Sequence, residues 1–227
     1  MSPNPTIYPD QPLSASELVL LNGEKFAKKV MMGNIQLMHS EESVSVAQLG
    51  QAILAAGVLA LEASGNLALE ARQEKALFGL RKVTNLYANP RPQADEWPDS
   101  CLESQFLQIT GRLITEVGSN QVSNILYVWL REDSGSPWQT AIELVKAGMA
   151  QRGLLEATEE KSLKIFTKIR YALPDSTKAL AAQQAIQPVQ QLLSNCENYR
   201  KDVWDLLIKQ IKKAIKDRTE QDDVDFD

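Results

Sequence analysis

Residues 45–70 read SVAQLGQAILAAGVLALEASGNLALE, and the fold turns on how this stretch is understood. Leu49, Ile53, Ala56, Leu59 and Ala63 recur at helical spacing, which predicts a helix over Ser45–Ser64. Its centre, AILAAGVLALEA, is apolar nearly all round, so the helix belongs inside the protein. Gly65-Asn66 ends it. From Leu67 to Tyr87 the pattern predicts two strands around a charged link, ARQEK, over residues 71–75, and then Pro90, Pro92 and Pro98 follow.

The same order recurs about ninety residues later. A helix over Trp138–Arg152 meets Gly153, and Leu154-Leu155 opens a strand. Glu159-Glu160-Lys161 reads as the turn. Ile165, Thr167, Ile169 and Tyr171 then alternate with Lys164, Phe166, Lys168 and Arg170 up to Pro174. Helix, glycine, hairpin and proline are thus written twice, too few copies for a solenoid.

Further helical patterns cover Glu103–Gly118, Ser119–Arg131, Ser176–Cys196 with a break at Pro188, and Arg200–Arg218. Ser16 is placed as the cap of SELVLL, a segment short enough to be helix or buried strand. The expected class is mainly α, a helical bundle around a buried central helix with two projecting β-hairpins. Residues 1–15, with four prolines, are expected to form a flexible arm. Residues 16–218 form one domain with a Pro-rich internal linker near 90–98, and 219–227 form an acidic tail.

Composition narrows the chemistry. Of 227 residues 44% are hydrophobic and 23% charged, which suits a folded chain with a sizeable core. The net charge of −5 opposes general binding to nucleic acid. Cys101 and Cys196 stand in no CxxC pattern and read as reduced thiols. No secretory leader pattern opens the chain, and no run of about eighteen uninterrupted apolar residues predicts a membrane span. The expected location is cytoplasmic, peripheral to a membrane if it meets one.

Catalytic signatures are missing. The lone histidine, His39, reads as a surface or packing residue. No GxSxG, HExxH, GxGxxG or P-loop pattern occurs. Glu41-Glu42, Glu159-Glu160 and Asp222-Asp223 are neighbours whose side chains diverge, which favours solvated faces over paired acids. No catalytic residue, metal ligand or cofactor is assigned, and the chain is read as no enzyme.

Two features could bind. In RKDVWDLLIKQIKKAIKDR, residues 200–218, Trp204, Leu207, Ile208, Ile211 and Ile215 share one helical face. Lys209, Lys212, Lys213 and Lys216 make a second stripe. Such a helix can lie on an anionic membrane, or simply dock its apolar side on the core. The hairpin over 154–171 invites comparison with a winged helix, but the helix before it offers only Lys146 and Arg152 as cations.

The arrangement as a whole resembles the Golgi phosphoprotein family. SELVLL is similar to its opening segment, LGQAILAAGVLALEASGNLALE to its central helix and first strand, LRKVTNL to the strand after the first hairpin, and AIELVKAGMAQRGLLEATEEKSLKIF to its second helix and hairpin. The likeness covers about residues 14–195 and is diffuse. It implies a peripheral membrane adaptor that binds a phosphoinositide and self-associates through the second hairpin, with Ile165 and Phe166 as the apolar pair here. The family's headgroup pocket uses a tryptophan and arginines. Ser45, Leu54, Gln139 and Ile142 stand at those positions, and none can make a charge-assisted bond to phosphate. The expected function is therefore a non-enzymatic adaptor or interaction protein without the phosphoinositide pocket. Its expected partners are anionic membrane lipid, proteins of unknown identity and a second copy of itself. A winged-helix-like DNA-binding regulator and an enzyme with a sequence-silent site are the alternatives.

Overall fold

The computed structural model describes residues 12–76, 81–92, 96–162 and 166–219. Within them the protein is mainly α, with eight α-helices and three two-stranded antiparallel hairpins.

The first helix, α1 (Ala15–Leu21), is capped by Ser14 rather than Ser16. Glu17 reaches back to accept the Ser14 N–H at 2.9 Å, as a capping box requires. Leu13 and Ala15 are buried, so the end of the predicted arm is packed into the core. A short 3-10 turn (Gly23–Lys25) leads to a hairpin that periodicity gave no sign of. Its strands, β1 (Asn34–Gln36) and β2 (Ser43–Ser45), have three residues each.

Helix α2 (Val46–Ala63) is close to its predicted limits, with Ser45 as cap and its hydroxyl accepting from the Gln48 N–H. By length and composition this helix could cross a membrane, against the expectation that none would. In the protein it is a core element: Ile53, Leu54, Ala55, Ala56, Ala60 and Leu61 are fully buried. It packs on α1 and on four helices further along, α3 (Leu102–Val117), α5 (Pro137–Gln151), α7 (Gln187–Tyr199) and α8 (Lys201–Thr219). Its central amides are expected to exchange with solvent among the last in the molecule. Hydrogen-exchange mass spectrometry that finds them opening with the hairpins would show this packing to be wrong.

The repeated pattern has one local cause. After α2, Gly65 takes φ 82° and the Asn66 N–H bonds to the Leu61 carbonyl at 2.9 Å. After α5, Gly153 takes φ 73° and the Leu154 N–H bonds to the Met149 carbonyl at 2.9 Å. Both are left-handed glycine caps that satisfy the last carbonyls and turn the chain into a strand.

In both long hairpins the first strand runs further than expected. In β3 (Leu67–Ala76) and β4 (Arg81–Pro90), the segment ARQEK lies inside β3, with Ala71 opposite Leu86. In β5 (Glu156–Ser162) and β6 (Phe166–Ala172), Glu159 and Glu160 likewise lie in the strand, opposite Ile169 and Lys168. Neither charged run is the turn, because exposed strands carry charges along their length. Arg170 meets Glu160 across the second of these hairpins at 2.8 Å.

Trp97, in the predicted linker, is buried, and its indole N–H donates to Asn66 Oδ1 at 2.9 Å. The remaining helices are α4 (Val122–Trp129) and α6 (Asp175–Gln183). The break before α7 falls ahead of Pro188, which stands in its first turn.

Candidate functional site

The basic stripe belongs to α8, and the opposite face of that helix fixes where it points. Leu207, Ile211, Ala214 and Ile215 are buried against the core. Between them Gln210 is fully buried and ties three elements together. Its Oε1 accepts from Gln121 Nε2 at 3.0 Å and from the Ser123 N–H at 3.2 Å, and its Nε2 donates to Asn85 Oδ1 at 3.1 Å. Near the end of the helix, Arg218 donates to the Tyr127 carbonyl at 2.7 and 3.0 Å and to Asp133 Oδ1 at 2.9 Å. Its guanidinium lies 3.7 Å from the centroid of the Tyr127 ring. The helix cannot rotate without breaking these bonds, so Lys209, Lys212, Lys213 and Lys216 are held on the outer face, all exposed. Lys213 is shared with Asp217 at 2.5 Å.

Sequence reasoning missed Gln210 and Arg218. Arg218 was legible, because it continues the buried series Leu207, Ile211, Ala214 by one more turn.

Trp204 and Ile208, placed on the apolar face, are only half-buried. Trp204 lines a groove of about 800 Å³ together with Lys25, Phe26, Lys28, Gln48 and Glu197. Met31 and Met32, just beyond Lys29 in the chain, are 96% and 88% exposed, and no pattern in the sequence singles them out. Of the proposed self-association pair, Ile165 lies outside the described residues, as does the side chain of Phe166. Ile169, nearby on β6, is 47% exposed.

Several reactive groups are used structurally. Glu17 and Glu103 are both fully buried. The Ser16 N–H and hydroxyl each donate to Glu103 at 2.9 Å, while Glu17 accepts from Ser14 and pairs with Arg152. These bonds staple α1 to α3 and to the end of α5, with no surface left for a substrate. Cys101 caps α3, its sulfur accepting from the Ser104 N–H at 3.4 Å. Burial pushes its thiol far up, and the nearby Glu103 carboxylate adds to this. Burial also raises Cys196 to about 11. Neither is a thiolate nucleophile near neutrality. His39 sits 3.4 Å from Glu24. Among the described residues no group of three or more His, Cys, Asp or Glu could hold a metal ion.

The cations of α5 face inward or are paired. Lys146 bonds to Glu143 at 2.8 Å, and Arg152 is taken up by Glu17. The four positions matched to a headgroup pocket differ in burial and in role. Leu54 and Ile142 are fully buried, Gln139 is exposed and Ser45 caps α2. No protein-family model matches this chain, and no curated protein matches it either.

Proposed function

We propose that this chain is a non-enzymatic adaptor of the Golgi phosphoprotein type, peripheral to anionic membranes on their cytoplasmic side. The fold reading is supported by α2, which touches five other helices as the central helix of such a bundle would, and by the two glycine-capped helices that run into hairpins. The membrane reading rests on one observation: four lysines stand exposed along the outer face of α8 while its inner face is anchored by buried bonds. The paired and inward cations of α5 favour this over a DNA reader.

The binding is electrostatic and headgroup-blind. Each lysine near an anionic surface adds about fivefold in partition, and the screening length of about 8 Å at physiological salt makes the effect salt-sensitive. Vesicle partition on phosphatidylserine, read by flotation, is expected to fall about a hundredfold or more when Lys209, Lys212, Lys213 and Lys216 are all replaced by glutamine. Flotation should not discriminate between phosphatidylserine and phosphatidylinositol 4-phosphate at equal charge. Unchanged flotation of the quadruple variant, or salt-resistant preference for one headgroup, would overturn the proposal.

A further inference from the structure

We infer that a cleft between α3 and the ends of α4 and α5 is a binding site for a small phosphate monoester with a hydroxylated body. The cleft measures about 610 Å³, a size suited to a small molecule. Its lining includes Asp99, Ser100, Gln105, Gln108, Arg112 and Arg131.

Its wall is built at a conformational cost. Among the described residues only two that are not glycine have positive φ, Ser100 at 64° and Arg131 at 66°, and both line this cleft. Arg131 directly follows Leu130, the C-cap of α4. Glycine takes that place without penalty, whereas a side chain there is strained. The arginine that stands there instead has no ion pair or side-chain hydrogen bond among the described residues. Ser100 is held in its turn by its neighbours. Gln105 donates to its carbonyl at 3.0 Å and accepts from Trp129 Nε1 at 2.9 Å. That carbonyl oxygen lies 2.1 Å from where a β-carbon on Gly148 would be, so α5 leaves room for the turn only by carrying glycine there.

The chemistry of the lining selects the ligand. Gln105, Gln108 and Arg112 recur at i, i+3 and i+7 on α3 and so share one face. Arg112 makes only a 3.9 Å contact with Glu116, both more than half exposed, which leaves its guanidinium available. Two guanidinium forks suit the oxygens of a phosphate dianion. Asp99 would repel a second anionic group but accepts from hydroxyls, and the Gln108 amide can both donate and accept. A phosphate on a polyol satisfies all of these groups together.

The test is calorimetric titration of the full chain with glucose 6-phosphate, inorganic phosphate and glucose. Saturable binding of glucose 6-phosphate is expected, weaker binding of phosphate and none of glucose. Arg112→Gln and Arg131→Gly should each weaken binding about tenfold or more. Arg131→Gly should also raise the melting temperature by about 2 °C, since it relieves the strained backbone. Phosphatidic acid vesicles, whose phosphate carries no hydroxylated body, should not displace glucose 6-phosphate, and displacement by them would overturn the inference. The quadruple α8 lysine variant should titrate like the parent, which keeps this test separate from the membrane proposal. Absence of saturation with both phosphates, undiminished affinity in both arginine variants, or a lower melting temperature in Arg131→Gly would overturn the inference.

Discussion

Alanine at Arg152 is expected to lower the unfolding free energy by about 3–5 kcal/mol at neutral pH. The reason lies at the junction of α1, α3 and α5, where two fully buried carboxyl groups, Glu17 and Glu103, approach one another. Arg152 is the cation that pairs with Glu17, and its side chain is 15% exposed. Burial alone pushes the Glu17 carboxyl above its ordinary value of 4.5, and Glu103 adds to that. Arg152 and the Ser14 amide pull it back. A buried carboxylate without its partner costs more than the pair contributes, so truncating the arginine is worse than replacing both.

The pH dependence has a definite sign. A carboxyl whose folded pKa is raised binds its proton more tightly when folded. Its contribution is most favourable below about 4.5 and declines as pH rises through the raised value. Removing Arg152 raises the folded value further. The penalty of Arg152→Ala should therefore be smaller near pH 4.5 than at pH 7, and Glu17→Gln added to it should recover stability at pH 7. Urea melts at the two pH values decide the matter. A penalty below about 1 kcal/mol at pH 7 would mean that the pair does not hold these helices together.

The helices were legible because their signals are local. Leu49 to Ala63 keeps helical spacing throughout, and Gly65 and Gly153 announce the left-handed caps that end two helices. The hairpins were found but their turns were misplaced. ARQEK and EEK looked like loops because charges usually mark solvent, yet the outer side of a two-stranded hairpin is solvated too. The S-x-x-E signature over Ser14–Glu17 marks the cap in the sequence itself, two residues before Ser16. Other features had no local signal at all. Glu103 meets Ser16 across 87 residues, and the Gln210 network joins Asn85, Gln121 and Ser123. The polar cleft was equally silent, because a positive φ at Arg131 cannot be read from a residue type that normally avoids it.

Arginine placed at the positions aligned with the headgroup pocket of the Golgi phosphoprotein family is expected to separate those positions sharply. Leu54 is fully buried in α2, and α2 packs on α1, α3, α5, α7 and α8. A guanidinium there has no route to water along its own stem, since neighbouring helices close over that face. The penalty for burying an unpaired charge is several kcal/mol, and overpacking adds to it. Leu54→Arg should therefore lose more than about 4 kcal/mol, a large part of the stability of an ordinary domain. Ile142→Arg, equally buried on α5, should behave alike. Gln139→Arg, on an exposed position of the same helix, should stay within about 0.5 kcal/mol of the parent. Circular dichroism melts of the three purified variants make the comparison. A cooperative melt of Leu54→Arg near the parent temperature would show that α2 can open a charged pocket. The expected collapse would instead confine any anion recognition to surfaces that already carry their cations, the outer face of α8 and the cleft at Arg112 and Arg131.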